Sequence, residues 1–283
     1  MAPLAATASA CERDGSHLTP RSWTTHGSAP CDEELEAAQM TLYDLLNRRL
    51  VVRVVYDGPG ASGKTTNVQE ICRRYPVGKR SGLFTPGALK GRTMFFDWLE
   101  LDVATQGKLP IRVQLISVTG QELRSYRRRP LIRSADCVVF VCDSRADHLA
   151  YARQRLVLLQ RYLRERRPAV PYLIQANKQD MPGALPPNEL IERLRWRKEI
   201  PTLPAVASTG QGVIETFQQA TKAATRYARS VVTMTGLKAI EGTPETADQA
   251  LDDLLLLEDQ SDSPQWDQHD DPDAAAEPEG SLG

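Results

Sequence analysis

Leu50-Val-Val-Arg-Val-Val-Tyr56, followed directly by Asp57-Gly-Pro-Gly-Ala-Ser-Gly-Lys-Thr65, is the stretch that decides the fold. The β-branched run predicts a buried strand, and Asp57-Gly-Pro-Gly60 is typical of a turn. A helix is expected from Lys64 to about Arg74. Together these signals predict a strand–turn–helix unit whose turn is rich in glycine.

The turn matches the pattern G-x-x-x-x-G-K-[ST] in full, at the place in a strand–turn–helix unit where that pattern binds phosphate. Its glycines let backbone N–H groups approach an anion, and the helix N-terminus adds a favourable dipole. Lys64 can neutralise β- and γ-phosphates, and the Thr65 hydroxyl can ligate Mg²⁺. The predicted phosphate-binding residues are Gly58, Gly60, Ala61, Ser62, Gly63, Lys64, Thr65 and Thr66.

A second motif, Asn177-Lys-Gln-Asp180, follows the predicted strand that ends at Ala176. Ligands of parallel sheets bind outside the carboxyl ends of the strands, where this motif lies. A carboxylate at Asp180 can accept two hydrogen bonds from guanine N1 and N2, whereas adenine offers no matching donors. The methylene stem of Lys178 can cover the ring, and the backbone N–H of Ala207 can bond guanine O6. The two motifs together predict binding of GTP and GDP.

Strands and helices alternate along most of the chain, which predicts an α/β fold. The expected arrangement is a mostly parallel central sheet with helices on both faces. Further strands are predicted at Ile111–Ile116, Cys137–Cys142, Pro171–Ala176 and Leu203–Val206, and further helices at Asp32–Arg49, Asp147–Glu165 and Asn188–Arg197. A last helix places Val213, Phe217, Ala220, Ala224 and Tyr227 on one stripe.

Charge is distributed unevenly along the chain. Residues 241–283 hold 14 Asp and Glu and no Lys or Arg, so residues 1–240 hold all 35 basic residues and 22 acidic ones. We predict three parts: a largely disordered N-terminal extension at 1–40, a domain at 41–235 and an acidic tail at 236–283. The tail could screen the basic body or only solvate the terminus. Within it, Leu251–Glu258 could be an interaction helix or could pack back on the domain.

No segment approaches the roughly 18 consecutive apolar residues that a membrane helix needs. The ends carry neither a myristoylation nor a prenylation signal, so we expect a cytoplasmic protein without a lipid anchor. The five cysteines are an odd number without C-x-x-C spacing, which predicts neither a metal site nor a disulfide.

The sequence resembles the Ras-like small GTPases, and within them the bacterial gliding-motility (MglA-type) GTPases, from about Arg49 to Arg229. The stretches that carry the resemblance are Tyr56–Thr66, Arg92-Thr-Met-Phe-Phe-Asp97, Val118-Thr-Gly-Gln121, Val138–Ser144 and Asn177–Asp180. The resemblance implies a P-loop NTPase fold of the small-GTPase type, with Thr93 closing on Mg²⁺ and the γ-phosphate. It also implies that the Gly120 N–H meets the γ-phosphate and that Gln121 orients the attacking water.

Two positions depart from most small GTPases. Ser117 stands where most carry an aspartate, although the gliding family also uses a hydroxyl residue there. Ser208 stands where many relatives have lysine. The family also suggests an arginine finger at Arg92, which could instead be an ordinary loop residue.

The resemblance implies a GTP/GDP switch with slow turnover, a roadblock-type activator as partner, and a role in cell polarity, gliding or pilus positioning. The tails could contact a cytoskeletal or polar scaffold, which would place the protein at a cell pole. One alternative is a GTP-binding scaffold with negligible turnover. Another is a nucleic-acid-binding GTPase, for which only the basic body argues.

Overall fold

Alternating strands and helices make up the computed structural model, which describes residues 41–83, 88–89, 92–93, 96–103, 110–118, 128–164, 166, 168–235 and 237–240. The strands are β1 (Thr41–Asp44), β2 (Arg49–Asp57), β3 (Ala88–Leu89), β4 (Arg92–Thr93), β5 (Phe96–Val103), β6 (Ile111–Val118), β7 (Cys137–Asp143), β8 (Tyr172–Asn177), β9 (Thr202–Pro204) and β10 (Leu237–Ile240). The helices are α1 (Lys64–Arg74), α2 (Arg128–Arg133), α3 (Leu149–Arg164), α4 (Pro187–Arg193) and α5 (Val213–Thr235). Within these residues, no helix combines the length and apolar character needed to cross a membrane.

The main sheet has the strand order β5-β6-β2-β7-β8-β9. From β6 to β9 all neighbours are parallel, whereas β5 is antiparallel to β6. Beside the first residues of β2, β1 pairs antiparallel, and β10 pairs parallel with β1. The predicted mostly parallel sheet is therefore confirmed. Its parallel strands end at one edge, which carries the loops after β2, β7 and β8.

Two apolar layers cover the two faces of the sheet. On one face, α2, α3 and α4 pack against residues such as Ile116, Phe140 and Ile174. On the other, α1 and α5 pack against residues such as Val54 and Leu115. The stripe predicted for the last helix is buried in full, with Val213, Phe217, Ala220, Ala224 and Tyr227 at most 6% exposed.

The helix predicted over Asp32–Arg49 is wrong in its described part. Thr41–Asp44 is a strand, and a turn connects it to β2. Asp44 is buried and accepts hydrogen bonds from the Asn47 N–H (3.0 Å), Asn47 Nδ2 (2.8 Å) and Arg49 Nε (2.9 Å). These bonds close a hairpin. The leucines whose spacing suggested a helix therefore lie in a strand (Leu42) and in an exposed turn (Leu45 and Leu46). Residues 32–40 lie outside the described residues.

Smaller corrections concern element ends. Helix α4 ends at Arg193 instead of Arg197, since Leu194 and Arg195 form a turn and Arg195 has a φ of 50°. Strand β9 spans Thr202–Pro204 instead of residues 203–206. The predicted boundaries at 40/41 and 235/236 stay predictions, although β10 joins the sheet from beyond the second of them.

Candidate functional site

The glycine-rich loop between β2 and α1 packs closely against its neighbours. Gly58 (φ 141°) and Gly63 (φ 104°) adopt backbone conformations that L side chains rarely adopt. A Cβ at Gly58 would collide with the carbonyl oxygen of Val141, and one at Gly63 would collide with the side-chain amide of Asn177. Both glycines are therefore required by the close approach of β7 and of the end of β8.

Lys64 begins α1 as a buried cation inside this loop. Its side chain curls back, and Nζ donates to the carbonyl oxygens of Gly58 (2.8 Å) and Pro59 (2.6 Å). Burial lowers the pKa of Lys64 to about 8, against the opposing effects of Asp57 and Asp97. An anion entering the loop would favour the charged form, since an opposite charge stabilises a buried ammonium.

A buried ion pair lies directly before the loop. Arg128, the first residue of α2, donates from Nη2 to Oδ2 of Asp57 at 2.6 Å. The two side chains are 5% and 1% exposed. The last residue of β2 is thereby joined to the first residue of a helix 71 positions further along the chain.

Oxygen-bearing side chains gather beside the first turn of α1. Asp97 on β5 lies directly opposite Ser117 on β6, and both are fully buried. Burial raises the pKa of Asp97, while the nearby hydroxyls of Thr65 and Ser117 and the cation of Lys64 oppose this. Among the described residues, neither Asp97 oxygen completes a hydrogen bond of normal length and angle, nor does the Ser117 hydroxyl.

Asn177, the last residue of β8, ties the glycine-rich loop to the loop that follows β9. Its Nδ2 donates to the carbonyl oxygen of Ser62 (2.8 Å), and its Oδ1 accepts from the Ala207 N–H (2.9 Å). The side chain of Asn177 is therefore used inside the protein, as a bridge between loops. The predicted contact of the Ala207 N–H with guanine O6 stays a prediction, and it would share a donor already bonded to Asn177.

The two charged residues of the second motif have different surroundings: Lys178 is paired within the protein, whereas Asp180 faces solvent. Lys178, whose φ is 63°, donates from Nζ to Oδ2 of Asp143 at 2.7 Å. Burial of Asp143 raises its pKa, but hydrogen bonds from Arg145 and Lys178 outweigh this and hold the pKa well below its usual range. Asp180 is exposed, and its carboxylate makes no bond to another described residue. That carboxylate is therefore accessible to a ligand.

Comparisons with known proteins agree with this geometry. The profile of the Arf: ADP-ribosylation factor family matches residues 100–224. ADP-ribosylation factor-like protein 4D from mouse and from human are each 36% identical over 107 residues, which cover 38% of this chain and 52% of those proteins. The chain thus spans about half the length of these two relatives. The mutual gliding-motility protein MglA of Myxococcus xanthus (strain DK1622) is 33% identical over 186 residues, covering 65% of this chain and 95% of MglA. The chain is a small GTPase of the MglA family.

Neutral side chains seat α1 of this GTPase on the sheet. Asn67 and Gln175 exchange two amide hydrogen bonds of 2.8 and 2.9 Å, and Gln175 also donates to the Thr216 hydroxyl at 3.2 Å. All three side chains are buried. The helix that begins with Lys64 is thereby joined to β8 and α5.

The structure brings together most of the residues predicted for the GTPase site. Those placed around the glycine-rich loop or the loops after β8 and β9 are Gly58, Gly60, Ala61, Ser62, Gly63, Lys64, Thr65, Thr66, Asn177, Lys178, Asp180, Ala207 and Ser208. Arg92 and Thr93 form β4, which pairs with β3. Gly120 and Gln121 lie outside the described residues. The roles assigned to these residues stay predictions.

Sequence reasoning missed two groups at this site. Asp97 closes the Phe95-Phe96-Asp97 run that carried part of the resemblance, but its position opposite Ser117 requires the pairing of β5 with β6. The pair of Asp57 and Arg128 had no local signal at all, because its members come from distant segments. The basic run Arg127-Arg-Arg129 is typical of an exposed charged surface, but the side chain of Arg128 is buried.

Proposed function

We propose that this small GTPase is a molecular switch that binds GTP or GDP along the edge formed by the loops after β2, β8 and β9. The observation that carries the proposal is the bridge made by Asn177, which fixes the loop of Lys64 against the loop of Asp180. A buried cation for phosphates and an exposed carboxylate for guanine are thereby held in one unit. A nucleotide is the class of ligand with a polyanion at one end and paired N–H donors at the other.

We also propose that Mg²⁺ accompanies the nucleotide. The residues fit this ion, because Thr65, Asp97 and Ser117 offer only oxygen atoms, and neither oxygen of the buried Asp97 carboxylate completes a hydrogen bond of normal length and angle within the described residues. Thr65 and Thr93 would ligate the ion, and Asp97 would supply the carboxylate that most small GTPases have at the position of Ser117. The ion would neutralise charge on the β- and γ-phosphates.

For hydrolysis we propose that Gln121 orients the attacking water and that Arg92 stabilises the charge that develops on the γ-phosphate. Such charge is spread over the phosphoryl oxygens in the transition state, so a cation placed there lowers the barrier more than it strengthens binding. In the small-GTPase template, an arginine finger contributes about 10³–10⁵ in rate. Basal turnover is then slow, and a roadblock-type activator raises it.

The experiment is single-turnover phosphate release with and without a roadblock-type partner. Arg92→Ala and Gln121→Leu should each leave GTP affinity nearly intact and lower stimulated turnover by roughly two powers of ten or more. The double variant should be little slower than either single variant, because both residues act on one assembled state. A wild-type protein that binds GTP and shows no turnover with any partner is instead a GTP-binding scaffold. Wild-type turnover in Arg92→Ala would return Arg92 to an ordinary loop residue.

The cellular role that we propose follows the name of the relative, which is a gliding-motility protein. The switch would act in bacterial polarity or surface motility, with the segments 1–40 and 241–283 contacting a scaffold. Removing both segments should leave GTP and GDP affinity unchanged and should disturb localisation. Loss of nucleotide affinity in a folded protein of residues 41–240 would show that a removed segment belongs to the site.

A further inference from the structure

The ion pair between Asp57 and Arg128 joins the residue directly before the phosphate loop to α2, and it is not part of the nucleotide-contacting motif. Asp57 ends β2, and the next residue is Gly58, whose carbonyl oxygen accepts from Lys64. Arg128 begins α2, and its guanidinium is 5% exposed. The 2.6 Å contact therefore joins the residue just before the phosphate loop directly to α2.

Asp57 is the one acidic partner that Arg128 has among the described residues. The Nε and Nη1 groups of Arg128 are buried and meet no acceptor among the described residues. A guanidinium that loses its only carboxylate in a buried place keeps its charge, because its pKa is too high for deprotonation. Loss of Asp57 would therefore drive Arg128, and the start of α2 with it, away from its present position.

The rest of α2 is held by apolar contacts. Leu131 and Ile132 are buried in the core that α3 and β7 share. The ion pair is thus the polar attachment at the first residue of the helix, and the core holds the following turn. In the sequence, Arg128 follows Gln121 by seven positions and Gly120 by eight, the residues proposed to meet the γ-phosphate and the water.

Asp57 and Arg128 also lie close to the cation of the phosphate loop. Asp57 favours the charged form of Lys64, whereas Arg128 opposes it. Neutralising either member changes the charge balance around Lys64, and it also releases the first residue of α2.

We infer that the Asp57–Arg128 pair is a positioning device that sets the preference of this GTPase between GTP and GDP, by holding the start of α2 against the phosphate loop. The inference rests on the proposed function, since it assumes a GTP/GDP switch. Both residues act through others: Asp57 acts through Arg128, and Arg128 acts through α2, which follows Gly120 and Gln121 in the sequence. The expected signature is a change in the ratio of the two nucleotide dissociation rates, since the γ-phosphate distinguishes the two ligands.

The test measures dissociation of fluorescent GDP and of a fluorescent, non-hydrolysable GTP analogue from the full chain. Asp57→Asn and Arg128→Gln should each accelerate loss of the GTP analogue about tenfold more than loss of GDP. The double variant should match the single variants instead of multiplying their effects, because the two residues form one unit. Arg128→Lys keeps the cation and should recover most of the wild-type ratio.

The matched control is Arg49→Gln, which removes part-buried ion pairs with Asp44 in the β1–β2 hairpin (2.9 Å) and with Asp102 on β5 (3.2 Å). It should lower the melting temperature and leave the dissociation ratio unchanged. If Asp57→Asn does not fold, Arg128→Gln decides by the same ratio, since the remaining carboxylate still faces Lys64. Equal acceleration of both nucleotides, or additive effects in the double variant, would overturn the inference while the wild-type protein still binds GTP. Failure of the wild-type protein to bind any guanine nucleotide would overturn the proposed function, and the inference with it.

Discussion

The phosphate end and the base end of the proposed nucleotide site differ in how many charged side chains they bury. Among the described residues, four charged side chains are buried at the phosphate end: Asp57, Lys64, Asp97 and Arg128. At the base end, the buried carboxylate of Asp143 is paired with Arg145 and Lys178, and hydrogen bonds of neutral groups join the loops. There, Gln179 donates to the Ser144 hydroxyl (2.7 Å) and the Leu185 carbonyl oxygen (2.9 Å), while Lys178 and Asp180 are part-exposed and exposed.

This difference separates affinity from selectivity. Buried charges of both signs favour a ligand that brings a polyanion and a divalent cation, whatever base it carries. At the base end the buried polar groups are already paired within the protein, and the exposed carboxylate of Asp180 is left for the base. We therefore expect substitutions at the phosphate end to weaken every nucleotide, and substitutions of Asp180 to change which base is preferred.

Lys64→Ala should have the largest effect. It removes the buried cation, so affinity for both GTP and GDP should fall by about 10²–10³. Titration with a fluorescent nucleotide measures this, and Lys198→Ala is the control, because that lysine is exposed and pairs with the exposed Glu192 (2.7 Å). The preference for guanine over xanthine should not change. A variant that loses base selectivity while keeping affinity would erase the proposed difference between the two ends.

Asp180→Asn should act on selectivity. The amide replaces one acceptor with a donor, so GTP affinity should fall by roughly 10²-fold as two charged hydrogen bonds are lost. The affinity for xanthosine nucleotides should rise, because their ring offers an acceptor where guanine has an amino group. Competition between GTP and XTP on the same protein gives the ratio, with the exposed Glu199→Gln as control. Unchanged GTP affinity would exclude Asp180 as the reader of guanine.

Asn177→Ala should affect both ends, since it removes the bridge between them. The Ser62 carbonyl oxygen and the Ala207 N–H lose their buried partner, so the free energy of unfolding should fall by about 2–4 kcal/mol. Affinity for GTP and GDP should fall together, by about tenfold. Thermal unfolding and nucleotide titration check the two effects, with the exposed Asn188→Ala as control. A loss confined to base selectivity would mean that Asn177 reads the base and does not join the loops.

The smallest effect concerns protons. Burial lowers the pKa of Lys64 to about 8, so near pH 8 Lys64 is neutral in about half of the protein molecules before the nucleotide binds. Phosphate raises that pKa, so binding takes up about half a proton at pH 8, and affinity declines as pH rises further. Calorimetry in two buffers of different ionisation enthalpy measures the uptake. The arginine of Lys64→Arg stays protonated, so this variant should bind the nucleotide without taking up a proton.

Local signals explain what the sequence could predict. The phosphate loop and the Asn177–Asp180 motif are contiguous, and each follows a strand with a clear β-branched or apolar run. Strand β5 was not predicted, because Asp97, Glu100 and Asp102 interrupt its apolar residues. The structure pairs Glu100 and Asp102 with Arg112 on β6 at 3.2 and 2.9 Å, a compensation that only the strand pairing creates. The β1–β2 hairpin was missed for the same reason, since its pairing with β10 involves residues almost 200 positions away.

That parallel pairing of β1 with β10 bears on the order in which the domain folds and opens. Thr41 aligns with Leu237 and Asp44 with Ile240, so four residues at each end of the domain are joined across nearly its whole length. Closing such a large loop has a high entropic cost and brings few contacts, so this strand pair should form late. In hydrogen exchange, its amides should be released through local fraying, well before those of β2, β6 and β7 at the centre of the sheet.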